Sequence, residues 1–321
     1  PATLRGVAST RIAEAAGELG LDWQPQDKFM TPHQSPHGFD CGAKCMLGCR
    51  CGAKWNAAAY VDEAVQQGID LWTGAKVDAV LGVNGRVQGV TGQVGGQPFR
   101  LWGRAVVLAA GGIGTPVILQ RSGLRQAGQG MTMDTTVMVY GQAPSKGIGQ
   151  EPPMTWSCAD DELGVLYSTL IDPWLNYPLV LLQKGPAYAL TWPRWGHTYG
   201  VMIKLKDEIS GAVMAQTRGF TISKGLTADD QQRLAQAEAV AGHILRQAGC
   251  DPDTIFTTPL RGTHPSGTVR LGEMLDHNLQ TEIAGLYVCD ASVFPEALAR
   301  PTVLTIIALA KRLARYLPTA V

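Results

Sequence analysis

Arg104-Ala105-Val106-Val107-Leu108-Ala109-Ala110 is a continuous apolar run that enters Gly111-Gly112-Ile113-Gly114. A strand with no polar alternation is expected to be buried on both faces, as in a helix-covered parallel sheet. The glycine turn leads into a predicted helix from Thr115 to Gln120, and such a strand, turn and helix can present backbone N–H groups to a phosphate or a ring edge. Far along the chain, Gly285 to Cys289 forms a second short apolar strand, stopped by Asp290. A turn marked by Pro295 follows, and then an apolar helix entered through Pro301 and Thr302. These pieces make the chain an α/β protein.

With 321 residues, of which 45% are hydrophobic and 17% charged, the chain can bury one large core or two moderate ones, and its length suggests two domains. The 27 basic and 27 acidic residues cancel, so there is no electrostatic footprint for nucleic acid or an anionic membrane, and a small neutral substrate suits such a surface. No apolar run approaches the ~20 residues needed to span a bilayer. Of the seven cysteines, four fall between Cys41 and Cys51, too tightly spaced for an ordinary disulfide framework. That usage favours a reducing compartment such as the cytoplasm, although a metal site would also survive in the periplasm.

The pattern along the chain predicts helices over 7–19 and 55–67 and a loop rich in Pro, Gly, His and Cys over 24–52. Residues 69–72, 76–83 and 86–93 alternate as strands, and Asn84-Gly85 between the last two is a strong hairpin signal. From Met131 to about Ile222 short alternating segments at 133–142, 164–170, 179–183, 188–192, 200–205 and 211–215 predict an antiparallel sheet. A long helix over 227–247 then has Thr227 as N-cap and Asp229-Asp230 in its first turn, where negative charge suits the helix dipole. Trp156, Trp174, Trp192 and Trp195 in the middle portion read either as sheet core or as the wall of a pocket for an apolar or ring-shaped substrate.

Two constellations carry candidate chemistry. His264 lies in the loop Thr263-His264-Pro265-Ser266-Gly267-Thr268, and imidazole is the side chain whose ordinary pKa suits it to take a proton near neutrality. Cys41-x3-Cys45-x3-Cys49-x-Cys51 can ligate an iron-sulfur cluster or zinc, form a disulfide, or simply hold reduced thiols; its spacing does not match the common ferredoxin runs.

Four segments in order resemble the glucose-methanol-choline (GMC) oxidoreductases. Cys45-Met46-Leu47-Gly48-Cys49-Arg50-Cys51-Gly52-Ala53-Lys54 is similar to a stretch of the cholesterol-oxidase-like and sugar-dehydrogenase branches. Ala109-Ala110-Gly111-Gly112 through Thr115-Pro116 and Ser122-Gly123-Leu124 is similar to the family's second signature, and Asp207-Glu208-Ile209-Ser210-Gly211 to the segment returning from its substrate sheet. The C-terminal portion from Thr263 to Ala314 resembles the family's flavin-binding end. The resemblance implies an FAD-binding Rossmann-like domain over 1–130 and 257–321, with an inserted antiparallel-sheet substrate domain over 131–256. It implies a dehydrogenase that moves a hydride from an alcohol or hydroxylated alicyclic substrate to FAD. The alternatives are a flavin-dependent C=C or carbonyl reductase or desaturase, and a non-catalytic subunit of a split flavoenzyme.

By the same resemblance His264 is the catalytic base, while Val77, Gly111, Asp290, Ala291, Pro301, Thr302 and Val303 contact the flavin. An iron-sulfur cluster on Cys41, Cys45, Cys49 and Cys51 would pass electrons to a carrier. The chain departs from the family at the second catalytic position, where His or Asn gives way to Arg300-Pro301. Pro lacks an N–H and Arg is a permanent cation, so Arg300 reads as binding an anionic substrate, as stabilising reduced flavin, or as pointing to solvent.

The family's opening G-x-G-x-x-G turn, which cradles the flavin diphosphate, is not found in the chain. The chain is therefore expected to be either a fragment of a longer protein or one product of a split gene, with a second chain supplying that half. Equilibrium titration of the isolated chain with FAD should accordingly give weak binding or none, and a submicromolar affinity would overturn that expectation.

Overall fold

The computed structural model describes residues 4–31 and 48–320. In chain order the elements are α1 (Val7–Glu18), β1 (Gln24–Pro25), α2 (Ala58–Gln66), β2 (Ala75–Val83), β3 (Arg86–Val94), β4 (Gln97–Trp102), β5 (Val106–Leu108) and α3 (Gly111–Arg121). There follow β6 (Thr136–Gln142), β7 (Trp156–Asp160), β8 (Val165–Thr169), α4 (Tyr177–Lys184), α5 (Pro186–Ala189) and β9 (Thr198–Leu205). The chain ends with β10 (Ala212–Ala215), β11 (Phe220–Ser223), α6 (Ala228–Gln247), β12 (Phe256–Thr257), β13 (Leu286–Val288) and α7 (Val303–Ala320). They fall into two compact units: Pro1–Asp70, Thr136–Leu205 and Gln232–Arg261 form the first, and Leu71–Thr135, Lys206–Gln231 and Gly262–Val321 the second.

The first unit is built on a six-stranded antiparallel sheet in the order β1-β7-β8-β9-β6-β12. Every residue of β8 and β9 is buried, which explains their runs of Val, Ile, Leu, Met and Tyr. A polar knot around buried Asp172 ties this sheet to its loops. Arg261 donates to both carboxylate oxygens of Asp172 at 2.7 Å, the Tyr140 hydroxyl donates to Asp172 Oδ2 at 2.6 Å, and Trp195 Nε1 donates to the Asp172 carbonyl at 2.9 Å. Burial, with the Asp172 charge beside it, pushes the Tyr140 phenol well above its ordinary pKa.

Helix α1 packs its small face, including Ala8, Ser9, Ala13 and Ala16, inward. Its N-cap is Gly6, which has no side chain to accept the orphan N–H groups of the first turn. Glu151 does this from afar, accepting from Ala8 N at 2.7 Å, Ser9 N at 2.9 Å and Ser9 Oγ at 2.6 Å.

The second unit has a parallel pair at its centre, β5 with β13 in the register Val106 to Leu286 and Leu108 to Val288. This is the arrangement expected of the two apolar runs. Beside it stands an antiparallel meander, β2-β3-β4, whose first turn is formed by Asn84 and Gly85, both at positive φ. Helix α7 places Ile306, Leu309, Leu313, Tyr316 and Leu317, spaced by three and four residues, on the core around Leu286, Tyr287 and Val288. The start of α6 is capped as the sequence predicts: Thr227 Oγ1 accepts from Asp230 N at 3.1 Å, and Asp230 Oδ2 accepts from Thr227 N at 3.2 Å.

Three strand expectations differ from the structure. Residues 179–183 fall in helix α4, and 188–192 run from the end of α5 through a turn into a 3-10 helix. Short apolar runs do not distinguish strand from helix by periodicity, and Pro178 and Pro186 at the first helical turns suit a helix start. Residues 69–72 form no strand and are exposed, with β2 beginning only at Ala75. No helix among the described residues is long and apolar enough to cross a membrane.

Glu151→Ala is expected to lower the unfolding free energy by about 1–2 kcal/mol, the cost of losing a helix cap. Thermal or urea unfolding of the variant against the parent checks this; an unchanged midpoint would mean that water serves the α1 terminus equally well.

Candidate active site

The chain leaves β5 at Leu108 and turns through Ala109 and Ala110, both exposed, into α3. Gly111 makes that turn at φ 77°, in the left-handed region that favours glycine. Beside it β13 ends and Asp290, 6% exposed, turns its carboxylate back. Oδ2 accepts from Gly111 N at 2.9 Å and from Thr115 Oγ1 at 2.6 Å, while Oδ1 accepts from Ser292 N at 2.8 Å. Asp290 thus joins the carboxyl ends of both parallel strands and caps α3.

The His264 loop is stitched onto this turn. Gly267 N donates to the Ala291 carbonyl at 3.2 Å and Val269 N to the Ser292 carbonyl at 2.8 Å. The Thr268 hydroxyl donates to the Gly112 carbonyl at 2.9 Å. Gly112 has to be glycine, since a Cβ there would lie 2.1 Å from the Pro265 carbonyl oxygen.

On its other side the loop grips residues 132–134. Thr263 N and His264 N both donate to the Met133 carbonyl, at 2.9 and 2.8 Å, and the Thr263 hydroxyl donates to the Asp134 carbonyl at 2.9 Å. The His264 side chain, 27% exposed, meets the Asp134 carboxylate, with Nδ1 2.8 Å from Oδ2. Asp134 is itself 1% exposed, and its Oδ1 accepts from Ala299 N at 2.9 Å. Asp134 and Ala299 both hold left-handed backbone, at φ 44° and 51°. For Ala that conformation costs roughly 1–2 kcal/mol, so the surrounding bonds must impose it.

Asp207 supplies part of that restraint. Its carboxylate accepts from Met133 N and Thr135 N at 3.1 Å each, bracketing Asp134, and pairs with Lys224 Nζ at 2.9 Å. Lys224 also donates to the Glu208 carbonyl and to Ser210 Oγ, both at 2.7 Å, so a nearly buried ammonium is satisfied.

The residues expected at the site divide clearly. His264, Gly111, Asp290 and Ala291 are linked by the bonds above, and Arg300, Pro301, Thr302 and Val303 follow directly on Ala299 into α7. Arg300 is half-buried, with Nη1 donating to the Ala299 carbonyl at 3.3 Å; Thr302 is buried, whereas Pro301 and Val303 are exposed. Val77 lies in β2 opposite Gly92 of β3, and no bond ties it to the others. Cys41 and Cys45 lie outside the described residues. Cys49 and Cys51 bring their sulfurs to 3.9 Å, and among the described residues no group of three or more His, Cys, Asp or Glu is placed to hold a metal. Cys158, Cys250 and Cys289 are buried, and burial pushes the Cys250 thiol up to about 12, which leaves it inert. Asp134 was missed from the sequence because it opens an alternating run that reads only as strand, and Asp207 because nothing local marks a carboxylate that binds backbone 72 residues away.

The chain is similar over most of its length to proteins of one family. Models of the amino- and carboxy-terminal domains of the GMC oxidoreductases match residues 3–150 and 217–310. An uncharacterized protein of Methanocaldococcus jannaschii is 28% identical over 312 residues, 95% of this chain and 73% of that protein. The long-chain-alcohol oxidase FAO4B of Arabidopsis thaliana is 25% identical over 86% of this chain, which spans 46% of that enzyme's length. The 5-(hydroxymethyl)furfural oxidase of a Methylovorus species is 25% identical over 96% of this chain and 67% of that enzyme. Pyridoxine 4-oxidase from Mesorbium loti shares the fold, with a TM-score of 0.72 at 18% identity over 98% of this chain and 70% of that one. The architecture is accordingly that of an FAD-binding domain with a substrate domain, and the chain belongs to the glucose-methanol-choline oxidoreductase family.

Proposed function

We propose that this chain takes part in flavin-dependent oxidation of an alcohol, with His264 receiving the hydroxyl proton. The observation that carries the reading is the His264 loop, bonded on one side to the turn where the two parallel strands end and on the other to a buried carboxylate. Ligands of open α/β sheets bind at the carboxyl ends of the strands. Here that end offers exposed Ala109 and Ala110, and the His264 loop links through Asp134 to Ala299, after which α7 begins with Val303 and Leu304 43% and 65% exposed and its first helical N–H groups ahead of the Ile306-to-Thr302 bond. An apolar floor beside free helix-end donors fits a flavin ring with its polar edge.

FAD, when bound, supplies the hydride acceptor. The residues then divide the work. His264 accepts the hydroxyl proton, so that the alcohol carbon becomes a carbonyl as its hydrogen leaves with the electron pair. The positive end of α7, entered through Pro301, Thr302 and Val303, favours negative charge on a bound ring, and Arg300 adds a cation to the same segment. Gly111, Asp290 and Ala291 form the turn on which the ribityl and phosphate portion would rest, with Val77 toward the adenine. In this reading residues 1–130 and 257–321 serve the flavin and 131–256 the substrate, which is apolar or ring-shaped.

The long-chain-alcohol, 5-(hydroxymethyl)furfural and pyridoxine oxidases among the similar proteins support alcohols as the substrate class. Electron export to a carrier through an iron-sulfur cluster on Cys41, Cys45, Cys49 and Cys51 is the dehydrogenase form of this proposal. Iron and sulfide in stoichiometric amounts in anaerobically purified protein, with dye reduction faster than oxygen consumption, would support that form. Their absence, with oxygen consumed, would replace it by an oxidase.

His264→Gln is expected to slow alcohol-dependent flavin reduction by roughly 10² to 10⁴-fold in the flavin-loaded protein, the usual worth of a general base. Anaerobic stopped-flow absorbance measures this. A rate within a few-fold of the parent would remove His264 from the chemistry.

A further inference from the structure

We propose that Asp134 is a positioning residue, holding His264 in the tautomer with its proton on Nδ1 and locking the imidazole to the segment that enters α7. The proposal rests on His264 being the base, but its geometry is independent of the substrate. Asp134 is buried, and its two oxygens face two different donors: Oδ2 lies 2.8 Å from His264 Nδ1 and Oδ1 accepts from Ala299 N at 2.9 Å. Ala299 N is a backbone amide and can only donate. An ionised carboxylate can only accept, so the nitrogen facing Oδ2 carries a proton. The neutral ring therefore keeps its lone pair on Nε2, which makes no hydrogen bond among the described residues. That is the atom left to take a proton from a substrate.

The same carboxylate explains why two left-handed non-glycine residues meet here. Asp134 reaches both partners from φ 44°, and Asp207 bracketing its neighbours' N–H groups holds it there. Ala299, at φ 51°, is held by its bond to Asp134. Arg300 and Pro301 follow immediately, so the same side chain bears on ring orientation and on the approach to α7.

Asp134→Asn separates this role from a general structural one. Asn tolerates positive φ and keeps the shape. Its carbonyl is claimed by Ala299 N, so its NH₂ group faces His264 and requires the lone pair on Nδ1. The substitution should therefore reverse the tautomer. The test is long-range ¹H–¹⁵N correlation spectroscopy of the full chain labelled with ¹⁵N-histidine, with His264→Gln assigning the resonance. A protonated Nδ1 and bare Nε2 in the parent, inverted in Asp134→Asn, are expected. A parent ring protonated on Nε2, or a pattern that Asp134→Asn leaves unchanged, overturns the proposal. Should the variant not fold, the parent spectrum alone decides. In the flavin-loaded protein the inverted tautomer should also lower flavin reduction by roughly 10²-fold. An inverted tautomer with an unchanged rate would uphold the positioning and overturn the role of His264 as base.

Discussion

The second unit depends on where the buried carboxylate of Asp290 points. β5 and β13 are three residues each, too short to fix their own ends, and both chains must turn sharply where they stop. Asp290 accepts from one backbone N–H of each turn and from the Thr115 hydroxyl, replacing the water that a buried charge would otherwise lose. With that turn held, Ala291 and Ser292 offer their carbonyls to Gly267 and Val269, and the His264 loop has a fixed edge to bind.

Asp207 and Asp134 repeat this use of a buried carboxylate one layer further. Asp207 accepts from two backbone amides and is neutralised by Lys224, whose remaining protons are also bonded. Asp134 accepts from the Ala299 amide and faces the His264 imidazole. Each removes orphan N–H groups from irregular backbone that no helix or strand ladder could serve. The backbone strain at Asp134 and Ala299 sits beside His264, a placement in keeping with strain that is held for function and balanced by the bonds around it.

Features governed by neighbouring residues were legible. The apolar runs around Val107 and Tyr287 read as strands and pair in parallel, although Val107 is left exposed where burial on both faces is expected; Asn84-Gly85 reads as a hairpin turn and makes one; Thr227 reads as a cap and accepts its bond. Segments 179–183 and 188–192 misled because alternation over five residues carries little weight against a proline at the first helical turn. The distant carboxylates left no trace in the pattern. Glu151 caps a helix 143 residues away, and Asp134 meets His264 across 130 residues, so no local spacing could announce either contact.

By itself the sequence determined the family, the parallel strands with their glycine turn, and His264 as the residue to watch, because these are written in contiguous runs whose physics is local. Folding alone settles which nitrogen of His264 faces a carboxylate, that Asp290 closes the strand ends, and that Ala299 is held in a left-handed conformation before Arg300. Those depend on groups made neighbours by folding, where a buried donor must find an acceptor wherever in the chain that acceptor lies.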